Sequence, residues 1–153
     1  MPTLEQLEND YWGPPPENDS YLITRCHQLR GKDLDFFAIE DLRILIGQNI
    51  GNKYLIPMAF DKLEINLLAE GDFYPGDLLQ SVLFAEDSYW KENLEQTNFI
   101  VQLVEEGINH LKKAFKKSEV QKFESRLAEL KAMLSQKKLS KRDINDLKKK
   151  GKK

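Results

Sequence analysis

Apolar residues recur every three or four positions along most of the chain, which is the period of a helix with one buried face. Thr3 opens a capping-box spacing with Gln6, and this predicts a short first helix that ends before the prolines at 14–16. A second helix is predicted to begin after an N-cap among residues 18–20 and to end at Gly31. Similar patterns predict further helices over 42–50, 54–63 and 78–83.

Glycine and proline mark where these helices should be interrupted. Gly47 and Gly51 interrupt the helical pattern, and one of the two is predicted to mark a break or a close helix crossing, because glycine is unfavourable inside a helix. Pro57 fits only the first turn of a helix that starts near Asn52. Residues 86–88 predict a loop.

In the last third of the chain, a long helical pattern runs from about Asn93 to Phe115. Ser118 and Gln121 then have capping-box spacing, which predicts the start of another helix. No stretch alternates polar and apolar residues in the way a strand would. We therefore predict an all-α fold, a compact bundle of about six to eight helices with a lysine-rich C-terminal helical extension. The predicted domains are an acidic helical core (1–117), a basic helical extension (118–147) and a disordered lysine-rich tail (148–153).

Charge is distributed unevenly along the 153 residues. Residues 1–110 contain 7 Lys and Arg against 20 Asp and Glu, a formal charge of −13. Residues 111–153 contain 16 Lys and Arg against 5 Asp and Glu, a formal charge of +11. Such asymmetry bears on partners and on association rates.

The lack of a recognisable targeting signal in the sequence, together with a single cysteine, suggests a cytoplasmic protein. The first ten residues carry three acids and no base, unlike a secretory signal or a transit peptide. No apolar run approaches the roughly 20 residues that span a bilayer, and the single cysteine cannot form an internal disulfide.

Motifs for catalysis and metal binding are missing from the sequence, so we expect no enzymatic activity and no cofactor. Cys26 next to His27 suggests a nucleophile pair, but adjacent helical residues do not face each other, which favours a buried cysteine beside a surface histidine. A calcium loop starting at Glu70 fails because its fifth and sixth positions are Tyr74 and Pro75.

Two acidic, aromatic stretches are the best candidates for a binding surface. Their acids are also typical of turns and helix starts, and for Asp77 that explanation is sufficient. Exposed carboxylates beside aromatic rings would instead steer and anchor a basic partner. The candidate binding residues are Glu70, Asp72, Tyr74, Asp77, Glu86, Asp87, Tyr89 and Trp90.

Three blocks of sequence resemble the immunity proteins of bacterial contact-dependent growth inhibition (CDI) systems. The first contains TLEQLE at 3–8, YWGPP at 11–15 and CHQLR at 26–30. The second contains EDLR at 40–43, LIGQNIG at 45–51 and YLIP at 54–57. The third is EGDFYPGDLL at 70–79. The resemblance covers roughly residues 3–95, and the chain from 111 onward lies outside it.

The resemblance implies a protein that binds the C-terminal toxin domain of its cognate effector, one to one, and blocks it in the cytosol. Such toxins are commonly nucleases, often RNases, whose basic clefts an acidic inhibitor can occupy. No membrane or small-molecule partner is expected. The alternative is a helical adaptor or nucleic-acid-associated protein that acts through the basic C-terminal tail, although no aromatic residue follows Phe123 there.

Overall fold

The computed structural model describes the backbone of residues 1–150 and the side chains of residues 1–136. Within these residues all regular structure is helical, which confirms the predicted all-α fold, and a single isolated β-bridge joins Glu70 to Pro75. The helices are α1 (Leu4–Glu8), α2 (Tyr21–Arg30), α3 (Ile39–Gly47), α4 (Asn52–Ile65), α5 (Asp77–Leu83), α6 (Asp87–Glu92), α7 (Leu94–Glu106), α8 (Ile108–Ala114) and α9 (Lys117–Lys150), with one turn of 3-10 helix at Leu34–Phe36.

Several predicted helix ends are confirmed. The Thr3 hydroxyl accepts a hydrogen bond from the Gln6 amide, and the Gln6 side chain accepts one from the Thr3 amide. The Ser20 hydroxyl caps α2, which ends before Gly31. These signals could be read from the sequence because each cap depends only on residues within one helical turn.

Other predicted boundaries are wrong. Residues 86–88 are not a loop, since α6 begins at Asp87. The long pattern from Asn93 is divided at Gly107 into α7 and α8. Pro57 lies at the sixth position of α4, beyond its first turn.

The predicted capping box at Ser118 is also wrong. Helix α9 begins at Lys117, two residues before the start that a Ser118 cap would give, and the carboxylate that closes its first turn belongs to Glu119. One Glu119 oxygen accepts the amide of Lys116 at 3.3 Å.

The chain divides into two compact units, and the first comprises Met1–Ala85. Helix α3 is central to this unit, because it packs on α2, α4 and α5. Its apolar residues Leu42, Leu45 and Ile46 are fully buried, as the helical period predicted. The amino end of α3 contacts the loop at residues 70–76, since Glu40 accepts the Asp72 amide.

Gly51 allows α1 to pack closely on the start of α4. Its φ of +70° is a left-handed conformation that favours glycine. A Cβ atom added at Gly51 would lie 2.9 Å from Cδ1 of buried Leu4. The predicted helix break at Gly51 is therefore confirmed. Gly51 is also a point of close contact with Leu4 of α1.

The second unit begins at Glu86. Helix α9 packs on α6, α7 and α8, with Phe123 and Leu127 among its buried residues. The rings of Phe115 and Phe123 meet edge to face, with centroids 5.2 Å apart.

The predicted functional division at residues 117 and 147 stays a prediction, and residues 151–153 lie outside the described part of the chain. None of the helices in the described part is both long enough and apolar enough to cross a membrane.

Candidate functional site

Asp77, the first residue of α5, organises the acidic loop at residues 70–76. Its side chain is buried and accepts three backbone hydrogen bonds. The Gly71 amide donates to Oδ1 at 2.6 Å, and the amides of Phe73 and Tyr74 donate to Oδ2 at 3.1 and 3.4 Å. One carboxylate therefore fixes most of the loop backbone.

Helix α3 supports the same loop from the other side. Glu40 accepts the Asp72 amide at 3.1 Å through Oε2 and forms a two-pronged ion pair with Arg43. Nε of Arg43 also lies 3.8 Å from Oδ2 of Asp77. Charged groups of α3 and α5 thus clamp the loop between two helices, and charge-assisted hydrogen bonds of this kind are among the stronger ones in proteins.

Gly71 is tightly enclosed by this clamp. A Cβ atom added there would lie 3.0 Å from a carboxylate oxygen of Asp77 and 3.0 Å from one of Glu40. Both oxygens belong to side chains that are already held by hydrogen bonds, so neither can move away freely. An alanine at this position would therefore force these carboxylates to shift by a few tenths of an ångström.

The clamped loop presents an aromatic ring and carboxylates to solvent. Phe73 is 70% exposed, and its ring lies on the Arg43 guanidinium, with Cζ 4.4 Å from the ring centroid. Glu70 and Asp72, in the same loop, are also exposed. The Tyr74 hydroxyl donates to Gln80 on α5, which turns that ring along the helix. Phe73, which was not among the predicted site residues, is the more prominent ring of the two.

The other four predicted residues lie at the start of the second unit. Glu86 and Asp87 are exposed, and Asp87 pairs with buried Arg126 at 2.8 Å. Tyr89 and Trp90 are buried, with their rings edge to face at 5.2 Å. Burial raises the pKa of Tyr89 to about 12, and a hydrogen bond to Gln96 partly offsets this effect.

The structure thus places the eight predicted residues in two clusters, 70–77 and 86–90, one in each unit. The side chains of Asp77, Tyr89 and Trp90 were expected on an exposed surface, but they are buried. In this conformation they hold their own unit together. Toxin contact at any of the eight residues stays a prediction.

A second exposed aromatic group lies near the amino end of the first unit. Trp12 packs over buried Arg30, with Cζ 4.5 Å from the ring centroid, and its Nε1 donates to Asp10 at 3.2 Å. Tyr11 and Tyr21 are largely exposed. The YWGPP string at 11–15 was the only sequence signal for this cluster.

The neighbouring Cys26 and His27 do not form a catalytic pair. Cys26 is buried, as expected, and burial raises the pKa of its thiol, which disfavours the reactive thiolate. His27 is directed elsewhere, with Nδ1 3.3 Å from the Gly13 carbonyl oxygen and its ring against Trp12. Among the described side chains, no three His, Cys, Asp or Glu residues are grouped so as to hold a metal ion.

Two shallow grooves lie along α9, with volumes of about 270 and 350 Å³. The first is lined by Glu105, Ile108 and Leu127, and the second by Phe115 and Val120, among other residues. Both are mainly apolar clefts between neighbouring helices of the second unit, and neither contains a predicted site residue.

A rigid loop that presents an aromatic ring and carboxylates is typical of a protein that acts by recognising another protein. Residues 6–100 match the family of CDI immunity proteins, and the chain belongs to that family. Its role is therefore immunity against a CDI toxin. No curated protein and no solved structure gives a significant match to the chain.

Proposed function

We propose that the protein neutralises the C-terminal toxin domain of its cognate effector by binding it one to one in the cytosol and covering its active site or substrate path. The toxin on this proposal is a nuclease, and more specifically an RNase. Inhibition requires no chemistry, cofactor or metal from the immunity protein. Family membership supports this function over the alternative of an adaptor that acts through the basic tail.

The observation that carries the proposal is the acidic loop at 70–76. Its backbone is fixed by buried Asp77 and by Glu40, while Glu70 and Asp72 remain at the surface. A nuclease attracts a polyanion with a basic cleft, so a fixed acidic surface competes for the same site. The formal charge of −13 over residues 1–110 adds long-range attraction.

Charge reversal tests the proposal. Changing Glu70, Asp72 and Glu86 together to lysine should slow association with the cognate toxin domain by about 10-fold at low salt and flatten the salt dependence of the association rate. Asp87 is left unchanged because it pairs with Arg126, and its loss would also affect folding. Stopped-flow kinetics at several salt concentrations would measure both effects.

A matched control reverses Asp61, Glu64 and Glu92, three exposed acids outside the two predicted clusters. It changes net charge by the same amount and places the same number of substitutions in each unit. Association should slow less in this control than in the site variant. Equal slowing in both would mean that only overall charge matters, and no slowing in either would place the inhibitory face elsewhere.

A further inference from the structure

The ring of Phe73 combines high exposure with a rigid support, and both are measurable features of the structure. The side chain is 70% exposed, and Cζ of Arg43 lies 4.4 Å from the ring centroid. The guanidinium in turn is held by Glu40 and lies beside Asp77, so the platform beneath the ring is fixed by two carboxylates. The Phe73 amide is bound to Asp77 as well, which restrains the backbone that carries the ring.

Phe36, in the same unit, is an exposed phenylalanine that lacks the support found under Phe73. It is 74% exposed, similar to Phe73, but lies at the end of the single 3-10 turn at Leu34–Phe36. No cation or ring packs against it among the described side chains. Scattered exposed apolar residues are normal on protein surfaces, so exposure alone does not single out Phe73. Phe73 is singled out by the combination of high exposure and a fixed support, since Trp12 also lies on an arginine but is only 40% exposed.

We infer that Phe73 is the anchor that holds the cognate toxin, and that it inserts into an apolar pocket bordered by basic side chains; this inference rests on the proposed function. An aromatic ring held in place before binding loses little conformational entropy when it is buried, which is the usual character of an interface hot spot. Because the charged groups at the loop surface are carboxylates, the border of the toxin's pocket should be basic. The carboxylates of Glu40 and Asp77 flank Arg43 beneath the ring, and the same loop carries the exposed acids Glu70 and Asp72.

An anchor and a steering charge differ in their kinetics. Surface charges act mainly on the association rate and its salt dependence, whereas a buried anchor acts mainly on the dissociation rate. Phe73 should therefore control how long the complex lasts, while Glu70 and Asp72 control how fast it forms. The two roles can be separated in a single binding experiment.

The test is surface plasmon resonance against the C-terminal domain of the cognate effector, inactivated by a substitution in its own active site. Phe73→Ala should accelerate dissociation by about 30-fold, with the association rate and its salt dependence nearly unchanged. Phe73→Tyr keeps the ring on Arg43 and should restore slow dissociation. Phe36→Ala, the control for exposed aromatic area, should behave like the wild type.

Gly71→Ala adds an independent variant that changes no exposed side chain. It disrupts the clamp under Phe73 and should also accelerate dissociation, and melting temperatures would show that the unit remains folded. If the dissociation rate of Phe73→Ala is within two-fold of the wild-type rate, Phe73 is not the anchor. If the Glu70, Asp72 and Glu86 variant nevertheless associates more slowly, the proposed function stands. Equal acceleration by Phe36→Ala would overturn the importance of the Arg43 support. If the wild-type protein does not bind the toxin domain, the proposed function itself is wrong.

Discussion

Replacing Asp77 with alanine is expected to lower the free energy of unfolding by about 3–5 kcal/mol, the range for removing one partner from a buried charged network. The amides of Gly71, Phe73 and Tyr74 would lose their acceptor, and Arg43 would lose one of its two carboxylates. Chemical denaturation at neutral pH would measure the change. Hydrogen exchange at the Gly71 and Phe73 amides should accelerate as well, because these bonds close the loop.

Asp72→Ala is the control for this prediction. Asp72 lies in the same loop and has the same charge, but its side chain is exposed. Exposed substitutions usually change stability by less than about 0.5 kcal/mol. If Asp77→Ala were no more destabilising than Asp72→Ala, the buried carboxylate would not be the organising group of the loop.

Asp41→Ala is expected to lower the free energy of unfolding by about 3 kcal/mol. The buried Asp41 carboxylate joins α2 to α3, since it accepts hydrogen bonds from Arg25 at 3.1 Å, from Lys32 at 2.7 Å and from the Ala38 amide at 2.9 Å. The expected loss is at the low end of the range of about 3–5 kcal/mol given for Asp77. Arg25 and Lys32 are 30% and 33% exposed, so water can hydrate them when the carboxylate is removed. Asp61→Ala, an exposed change on α4, should have little effect.

The Asp41 carboxylate also makes the free energy of unfolding depend on pH. Burial by itself would raise the pKa of Asp41, but hydrogen bonds from Lys32 and Ala38 and the charges of Lys32 and Arg25 outweigh it and hold the pKa below its ordinary value of 3.8. A carboxyl whose pKa is lowered by folding stabilises the protein fully above its unfolded pKa. This contribution is lost as the pH falls through the folded pKa.

Urea titrations at several pH values would test this dependence. The stability difference between the wild type and Asp41→Ala should therefore shrink below about pH 4. A constant difference down to pH 2 would contradict the lowered pKa.

Helices and their ends could be predicted where the determinants are local. The Thr3 cap depends only on neighbouring residues, so the sequence contains its whole signal. The second cap was narrowed to residues 18–20 and the break to Gly47 or Gly51, and the structure selects Ser20 and Gly51. The start of α9 was missed although it too is local. Ser118 and Glu119 both suit a first turn, and only the structure shows that the Glu119 carboxylate is used.

The candidate site was harder to predict because it depends on contacts between distant residues. Asp77 was correctly placed near a helix start, but its role as acceptor for three loop amides depends on how the chain returns on itself. The stack of Phe73 on Arg43 joins residues thirty positions apart. Sequence pattern also could not distinguish the buried rings of Tyr89 and Trp90 from exposed ones, since aromatic residues next to acids are compatible with either environment.

Within the acidic loop, the groups that maintain its conformation are separate from the groups at its surface. Gly71 and Asp77 are enclosed, whereas Glu70, Asp72 and Phe73 are exposed. On the proposed function, substitutions at the three exposed positions would change which toxin is bound without changing the fold. Substitution of Asp77 would weaken both the fold and toxin binding, whereas Gly71→Ala would displace the loop and weaken binding without unfolding the unit.

The most direct measurement is a competition between the immunity protein and RNA for the cognate toxin domain. Fluorescence anisotropy of labelled RNA on an inactivated toxin would report displacement, and cleavage by the active toxin would report inhibition in parallel. If the protein covers the active site or substrate path, RNA should be released and cleavage should stop at one immunity protein per toxin. A stable complex in which the toxin still binds and cleaves RNA would contradict this mechanism.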